Sequence, residues 1–341
     1  MKLANVRNGV RQGGVSSGIF FVVYIDELLT ILRNSGLGCR IFGVFYGALI
    51  YADDIFLLSA SRTGLQGMIS LSHQFATKVN LKFGTNVDPK KSKTKCIIFS
   101  KNKKNMDGVK EITLGDHRLP WVTQVNHLGH TLQQDNSMSI DINSKRGMFV
   151  GRINSLLQEF HYASPEILMK FAQSYACNIY GSNTRNLFSP ECQRIYTSYN
   201  VAVRTILNLP RTTHRYLLEP LSDYPHLFAQ LTSRYVRFSR SLLENQAIEV
   251  RFLSRVSATS KRSLLSRSLS RIAEMTNFSG DITELSAQTV RQNIVYAQTP
   301  EEEKWRMEVI KDMKDVIACG TVNSNLSMEE ASDILTFACT S

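Results

Sequence analysis

Two adjacent carboxylates, Asp53 and Asp54, lie between two short apolar runs, residues 41–50 and 55–58. This pattern predicts a β-hairpin with the acidic pair at its tip. Paired carboxylates are costly unless their charge is compensated, and Mg²⁺ favours one or two carboxylates together with phosphate oxygens. Phosphoryl transfer by two metal ions needs a further carboxylate. Taken alone, the pair is also compatible with an ordinary turn, because Asp is common in turns.

A guanidinium, an amide and two glycines precede the first long apolar segment, in the order Arg11, Gln12, Gly13 and Gly14. Glycines permit close approach of the backbone to a ligand, and the N-terminus of a following helix suits a phosphate group. The segment is therefore a candidate phosphate or nucleotide contact.

Four lysines lead into a short apolar segment after the hairpin, and these are Lys90, Lys91, Lys93 and Lys95. Two interpretations remain open at this point. Lysines at a strand edge discourage edge-to-edge association of sheets. The same ammonium groups could instead lie near a leaving phosphate.

In this order, the motifs resemble those of reverse transcriptases. The matching segments are Gln12-Gly13-Gly14, Tyr51-Ala52-Asp53-Asp54, Phe83-Gly84-Thr85-Asn86 with the lysines as far as Lys95, and His127-Leu128-Gly129. The amino-acid sequences of these motifs are most similar to those of non-LTR retrotransposons of the LINE type, including the jockey-like group. The resemblance covers residues 7–250.

This resemblance implies an RNA-directed DNA polymerase that extends a DNA primer on an RNA template, using dNTPs and two Mg²⁺ ions. It implies that Asp53 and Asp54 bind metal and that Lys93 lies near the pyrophosphate, with Lys95 and Lys90 as substitutes. The residues expected to line the nucleotide and template pocket are Arg11, Gln12, Gly13, Gly14 and Tyr51.

The sequence also departs from the family pattern. Ser16-Ser17-Gly18 stands where the family has Leu-Ser-Pro, and the family's first metal-binding aspartate lies upstream of the glutamine-glycine motif. Only ten residues precede Arg11, and none of them is acidic. We therefore expect the chain to be inactive alone. The alternative is a catalytically dead, nucleic-acid-binding remnant of such an element. An unrelated phosphotransferase would need a nucleotide-binding loop such as a P-loop, which the sequence lacks.

The net charge of +11 is unevenly distributed along the 341 residues. Residues 1–140 carry a net charge of +8, residues 141–272 carry +10, and residues 273–341 carry −7. A basic body indicates a polyanionic partner. We expect Arg234, Arg237 and Arg240 to contact the nucleic-acid backbone in an RNA template and DNA primer duplex.

The expected fold class is α+β. Apolar periodicity predicts a buried helix at residues 16–34, an amphipathic helix at 63–79, a strand at 95–99 and a strand pair at 121–132. From residue 140 the pattern is helical, with helix starts at Ser164-Pro165, Ser189-Pro190 and Thr299-Pro300 and a basic helix across 251–271. By resemblance, residues 1–139 form a partial right-hand palm, 140–272 a helical thumb and 273–341 an acidic helical extension.

Other classes of protein are disfavoured by the composition. The six cysteines include no Cys-x-x-Cys pair, which argues for free thiols rather than a zinc knuckle or a disulfide framework. No apolar run reaches the ~20 residues of a membrane helix, and Met1–Gly9 has no apolar core. We therefore expect a soluble, intracellular protein, located in the nucleus or in a cytoplasmic ribonucleoprotein, with no membrane partner.

Overall fold

A computed structural model describes residues 17–293, except 87, 89, 90 and 101–109. These described residues fall into two compact units that divide between Ser137 and Met138. The first unit combines helices with short strands, and the second is helical throughout its described part. The predicted α+β fold class is confirmed.

The first unit contains two long helices and ten short strands among its described residues. The helices are α1 (Ser17–Asn34) and α2 (Arg62–Lys78). The strands are β1 (Arg40–Ile41), β2 (Val44–Phe45), β3 (Ala48–Tyr51), β4 (Asp54–Leu57), β5 (Cys96–Ile97), β6 (Ile112–Leu114), β7 (His117–Leu119), β8 (Trp121–Val122), β9 (Gln124–His127) and β10 (His130–Gln133).

Helix α1 has the predicted extent but is buried on one face only. Leu28 and Leu32 are fully buried, whereas Ile19 and Val23 are 67% and 70% exposed. Within the described residues, α2 and β3 are its main neighbours, and they cover a single side. The Tyr24 hydroxyl donates to the Val79 carbonyl at 2.7 Å and joins α1 to the end of α2. The predicted buried helix is therefore buried on one face, because length and hydrophobicity do not specify which neighbours cover a helix.

Over the described ranges, the strands form five two-stranded sheets rather than one continuous antiparallel sheet. Four of the pairs are antiparallel, and β5 pairs with β8 in parallel. Tight turns keep these strands short, because residues with positive φ, such as Phe42 and Gly43, reverse the chain after only two to four strand residues. For this reason the apolar run at 41–50 is not one strand, as the sequence had indicated, but parts of β1, β2 and β3.

Helix α2 is the amphipathic helix that the sequence predicts. It begins after Ser61, whose hydroxyl accepts a hydrogen bond from the Gly64 backbone N–H at 3.0 Å and so caps the helix. Met68 and Phe75 on its inner face pack against α1 and β3, and Ile69 packs against Cys96 and Ile112 on another side. The helix thereby supports both the hairpin β3–β4 and the strands that follow it.

The second unit consists of helices that pack around one core. The α-helices are α3 (Ser139–Glu159), α4 (Pro165–Phe171), α5 (Pro190–Ile206), α6 (Arg215–Ser222), α7 (Leu227–Leu243), α8 (Ile248–Thr259), α9 (Leu264–Met275) and α10 (Ala287–Asn293). One turn of π-helix, Ala172–Ala176, follows α4 directly. Short 3₁₀ turns occur at Ser182–Thr184 and Ile282–Glu284.

Two helix starts that the sequence predicts are confirmed, with different cap chemistry. The Ser189 hydroxyl accepts from the Cys192 backbone N–H, whereas Ser164 occupies the cap position of α4 without a side-chain cap bond. The third, Thr299-Pro300, lies outside the described residues. The basic segment 251–271 is two helices rather than one, because the chain turns between α8 and α9 and Ser263 caps the second of them.

Residues 273–293 pack within the helical unit, where Leu285 and Val290 belong to its core. The remainder of the acidic segment lies outside the described residues. Among the described helices, none is both long enough and apolar enough to cross a membrane. The four described cysteines are free, as predicted, and burial raises the pKa of the Cys96 thiol to about 11. That thiol is therefore protonated at neutral pH.

A buried ion pair joins the first turn of α3 to the segment that precedes α5. The Arg185 guanidinium is 2% exposed and donates through Nη2 to the Asp141 carboxylate, whose side chain is 5% exposed. The same nitrogen reaches the Tyr180 carbonyl at 3.3 Å. Burial lowers the pKa of Arg185, and the Asp141 charge opposes that shift. Within the described part of the chain, its Nε and Nη1 atoms have no hydrogen-bond partner, so Asp141 is the principal compensation for the buried charge.

Replacing Asp141 by Ala should lower the free energy of unfolding by about 3–5 kcal/mol, because it leaves Arg185 charged and buried without its partner. Denaturation in urea, followed by circular dichroism, measures this loss. Glu166→Ala is a matched control: Glu166 is also a first-turn acid, but its pair with Lys170 is exposed. The control should cost much less, because solvent screens the exposed pair. Equal losses in the two variants would show that the buried pair has no special role.

Candidate active site

The hairpin of β3 and β4 places the two acids as predicted. Tyr51 pairs with Asp54 at the end of the ladder, which leaves Ala52 and Asp53 as the two-residue turn. Ala52 adopts a left-handed φ of 50°, a conformation that costs an L-residue roughly 1–2 kcal/mol. Both carboxylates are exposed, and the Tyr51 side chain is 67% exposed. The turn thus presents two carboxylates and an aromatic ring at one end of the hairpin.

The two acids line an open cavity of about 480 Å³ within the first unit. Three lysines line the same cavity, namely Lys82, Lys93 and Lys95, and all three are exposed. Carboxylates attract a divalent cation, while the ammonium groups attract anions such as phosphates. The cavity therefore combines the two kinds of charge that a complex of a metal ion and a phosphate ester requires.

The position of Lys93 depends on a glycine beside it. The Thr94 backbone N–H donates to the Gly84 carbonyl at 2.9 Å, which aligns the lysine segment with residues 83–85. A Cβ on Gly84 would lie 3.0 Å from Cβ of Lys93, closer than ordinary van der Waals contact. The absence of a side chain at Gly84 therefore lets the stem of Lys93 pass close to the backbone. Lys90 lies outside the described residues.

An aromatic stack connects the acidic hairpin with the hairpin of β9 and β10. The imidazole of His127 stacks on the Phe56 ring with centroids 4.9 Å apart and an interplanar angle of 24°. Phe56 lies two residues after Asp54 in β4, and His127 ends β9 immediately before the turn at Leu128-Gly129. His127 and Asp54 line the same cavity, so the stack fixes one wall of it against the strand that carries the acid.

Several of these contacts were not predicted from the sequence. Lys82 lines the cavity although it belongs to none of the sequence motifs. The stack of His127 on Phe56 joins two residues that are far apart in the chain, which no local pattern indicates. Conversely, the predicted contacts Arg11, Gln12, Gly13 and Gly14 lie outside the described residues. Within the described residues, no group of three or more His, Cys, Asp or Glu side chains is arranged to hold a metal ion. Asp53 and Asp54 are the two carboxylates that line this cavity.

The three arginines that were expected to contact a nucleic-acid backbone lie on α7, in the second unit, in different surroundings. Arg234 is half-buried, and its Nη1 donates to the Cys177 carbonyl at 3.0 Å. Arg240 is exposed and pairs with Glu244 at 2.8 Å, and Arg237 is exposed. Arg237 and Arg240 thus meet the first requirement for a phosphate contact, whereas Arg234 takes part in the internal packing of the unit.

Comparison with known proteins finds a similarity over most of the first unit. Residues 4–132 match the family model described as Reverse transcriptase (RNA-dependent DNA polymerase). The matched range contains every residue that lines the acidic cavity. No curated protein matches the chain. This part of the chain is therefore similar to reverse transcriptases over the segment that contains the candidate site.

We expect the Asp53–Asp54 pair to bind Mn²⁺, a spectroscopic substitute for Mg²⁺, and expect Asp53→Ala to weaken that binding. Removing even a group that only supports a metal ligand costs about 10–100-fold in metal affinity, so loss of a ligand should cost at least about tenfold. Electron paramagnetic resonance of free Mn²⁺ during a titration measures the change. Asp116→Ala, which removes another exposed carboxylate from a hairpin turn in the same unit, is the control. Mn²⁺ binding that is equal in wild type and both variants would exclude the pair as ligands.

Proposed function

We propose that the chain is a polymerase fragment of a reverse transcriptase of the non-LTR retrotransposon type, LINE or jockey-like. Its partners would be an RNA template, a DNA primer and a dNTP, in the nucleus or in a cytoplasmic ribonucleoprotein. The observation that carries the proposal is that Asp53, Asp54 and Lys93 line one cavity inside the segment that matches the reverse transcriptase family. The non-LTR assignment rests on the amino-acid sequences of the motifs, above all Arg11-Gln12-Gly13-Gly14-Val15 and Leu128-Gly129-His130-Thr131-Leu132.

In this proposal the acidic residues of the cavity bind metal and the basic residues contact phosphate groups. Asp53 and Asp54 would hold Mg²⁺, which when bound polarises phosphoryl oxygens and orients the attacking and leaving groups. Lys93 would neutralise charge on the leaving pyrophosphate, and Lys82 and Lys95 would add to the positive field around the triphosphate. The exposed ring of Tyr51 would contact the nucleotide or template beside the acids. Arg11, Gln12, Gly13 and Gly14 would complete that pocket.

The available carboxylates supply only one side of a two-metal site. Asp53 and Asp54 are neighbours on one turn, and two metal ions beside a triphosphate must be held from more than one direction. Residues 1–16 contain no acid, and Glu27 on α1 pairs with Lys78 at 2.9 Å. We therefore propose that the 341-residue chain binds its partners but does not extend a primer by itself.

Primer extension tests this part of the proposal. The purified chain should give no extension of a DNA primer on an RNA template with Mg²⁺ or Mn²⁺, because an incomplete metal cage raises the barrier by several kcal/mol, about 10³-fold or more in rate. Asp53→Ala is the control that separates activity of the chain from a contaminating polymerase. Extension that depends on Asp53 would contradict the proposal and would mean that another acid completes the site.

A catalytically dead, nucleic-acid-binding remnant is the second candidate, and the exposure of both acids favours it. Exposed carboxylates at a turn need no metal for stability. The two candidates differ in what the acids do. A remnant would show no metal-dependent dNTP binding, with or without the substitution Asp53→Ala. The polymerase fragment would bind dNTP with Mg²⁺, and Asp53→Ala would weaken that binding.

Nucleic-acid binding should weaken steeply with salt, because residues 141–272 carry a net charge of +10. Several phosphate contacts predict a loss of affinity on the order of 10³ between 50 and 200 mM salt. Arg237→Gln should reduce the slope of log affinity against log salt by about 1, whereas Arg237→Lys should leave it unchanged. Fluorescence anisotropy with an RNA–DNA duplex measures both quantities. An affinity that does not depend on salt would contradict the assignment of the basic helices.

A further inference from the structure

Two exposed tyrosines flank one face of α3, and each has a cation over its ring. The Lys145 ammonium lies 5.3 Å from the ring centroid of Tyr180, and the Arg152 guanidinium lies 5.3 Å from that of Tyr175. Tyr175 and Tyr180 are 53% and 59% exposed. Lys145 and Arg152 are two helical turns apart, about 10.5 Å along the helix axis. The face therefore carries two cation–aromatic pairs side by side, called here the tyrosine surface.

The π-helical turn, Ala172–Ala176, presents Tyr175 to the solvent. The Cys177 N–H donates to the Ala172 carbonyl five residues earlier at 2.9 Å, which widens the helix locally. On the inner side of this turn, Gln173 bonds to the Tyr199 hydroxyl at 3.2 Å, and Ala172 and Ala176 are buried. On the outer side, Arg152 Nη1 donates to the Tyr175 carbonyl at 3.1 Å. The backbone that carries Tyr175 is thus fixed from both sides.

Tyr180 is fixed by the buried ion pair. Arg185, held by Asp141, reaches the Tyr180 carbonyl, and the chain turns immediately afterwards at Gly181, which has a φ of 71°. The ring itself remains exposed over α3. Both tyrosines are therefore presented on anchored backbone and need little ordering before a partner binds.

Taken together, the two segments that form this surface are basic in sequence. Residues 145–152 contain three cations and no acid, and residues 172–180 contain no charged side chain. Exposed aromatic rings interleaved with cations are the combination that binds single-stranded nucleic acid, because bases stack on the rings and phosphates meet the cations.

We propose that the tyrosine surface binds a single-stranded segment of RNA or DNA, with bases against Tyr175 and Tyr180 and phosphates near Lys145 and Arg152. This inference rests on the proposed function only in taking nucleic acid as the partner. It adds a second contact, in the helical unit, for a single-stranded part of the nucleic acid. Stacking tolerates any base, so the surface does not select a sequence.

Fluorescence anisotropy with labelled oligouridylate, oligothymidylate and an RNA–DNA duplex tests the proposal on the full chain. The double variant Tyr175→Leu/Tyr180→Leu should weaken binding of the single strands by at least about tenfold, since stacking contributes about 1–3 kcal/mol per base. Its affinity for the duplex should stay within about twofold, because duplex binding depends on phosphate contacts. Lys145→Gln should lower the salt slope for single strands by about 0.7. Comparison of the two oligonucleotides shows whether RNA or DNA is preferred.

Tyr162→Leu is the matched control, because Tyr162 is exposed in the same unit but packs against Phe160 and His161 rather than a cation. It should bind single strands as the wild type does. Photo-crosslinking of 5-iodouridine RNA to the wild-type chain gives an answer independent of any variant, and should label Tyr175 or Tyr180.

Three results would overturn the proposal. Unchanged single-strand affinity in the double variant would exclude the tyrosines, while the proposed polymerase function would stand. Crosslinks confined to other residues would do the same. A wild-type chain that binds neither single strands nor duplex at low salt would overturn both this proposal and the nucleic-acid partners of the proposed function.

Discussion

The repulsion between two neighbouring carboxylates is the constraint on which the candidate site in the first unit depends. Asp53 and Asp54 stand at the end of a hairpin so tight that Ala52 adopts a left-handed conformation. Exposure lowers the cost of placing the charges together, and three lysines around the same cavity supply a compensating field. Gly84, which lets the Lys93 side chain pass close to the backbone, lines this cavity. His127 and Phe56, which stack on each other, line it as well. The unit is thus arranged to hold opposite charges near one another without burying them.

The helical unit handles charge in the opposite way. Arg185 is fully buried and is compensated by Asp141, and this pair connects the start of α3 with the segment that carries Tyr180. Most other cations of the unit are exposed, which leaves its surface basic. Burial of one ion pair therefore fixes the backbone, while the exposed cations remain available to a polyanion. The tyrosine surface adjoins the buried ion pair, because Arg185 contacts the Tyr180 carbonyl.

The sequence predicts local features well and tertiary coverage poorly. The extent of α1 follows from an apolar run too long for a strand, and the acidic hairpin follows from charge between two β-forming segments. That the described residues cover α1 on one side, and that Ser260 to Ser263 interrupt the basic helix, depends on which neighbours pack and where the chain turns. Lys82 and the His127–Phe56 stack escaped prediction for the same reason. The motif residues of the cavity were found because their spacing matches a known series, not because periodicity locates them.

The central claim is that Asp53 and Lys93 act on one ligand, a metal-bound triphosphate, in one cavity. A double-mutant cycle tests it directly: the affinity for a dNTP with Mg²⁺ is measured by calorimetry for the wild type, Asp53→Ala, Lys93→Met and the double variant. Groups that share a ligand show interaction energies of about 0.5–3 kcal/mol. We expect a coupling in this range that disappears when Mg²⁺ is replaced by EDTA. Strictly additive losses, or dNTP binding that none of the variants changes, would contradict the account.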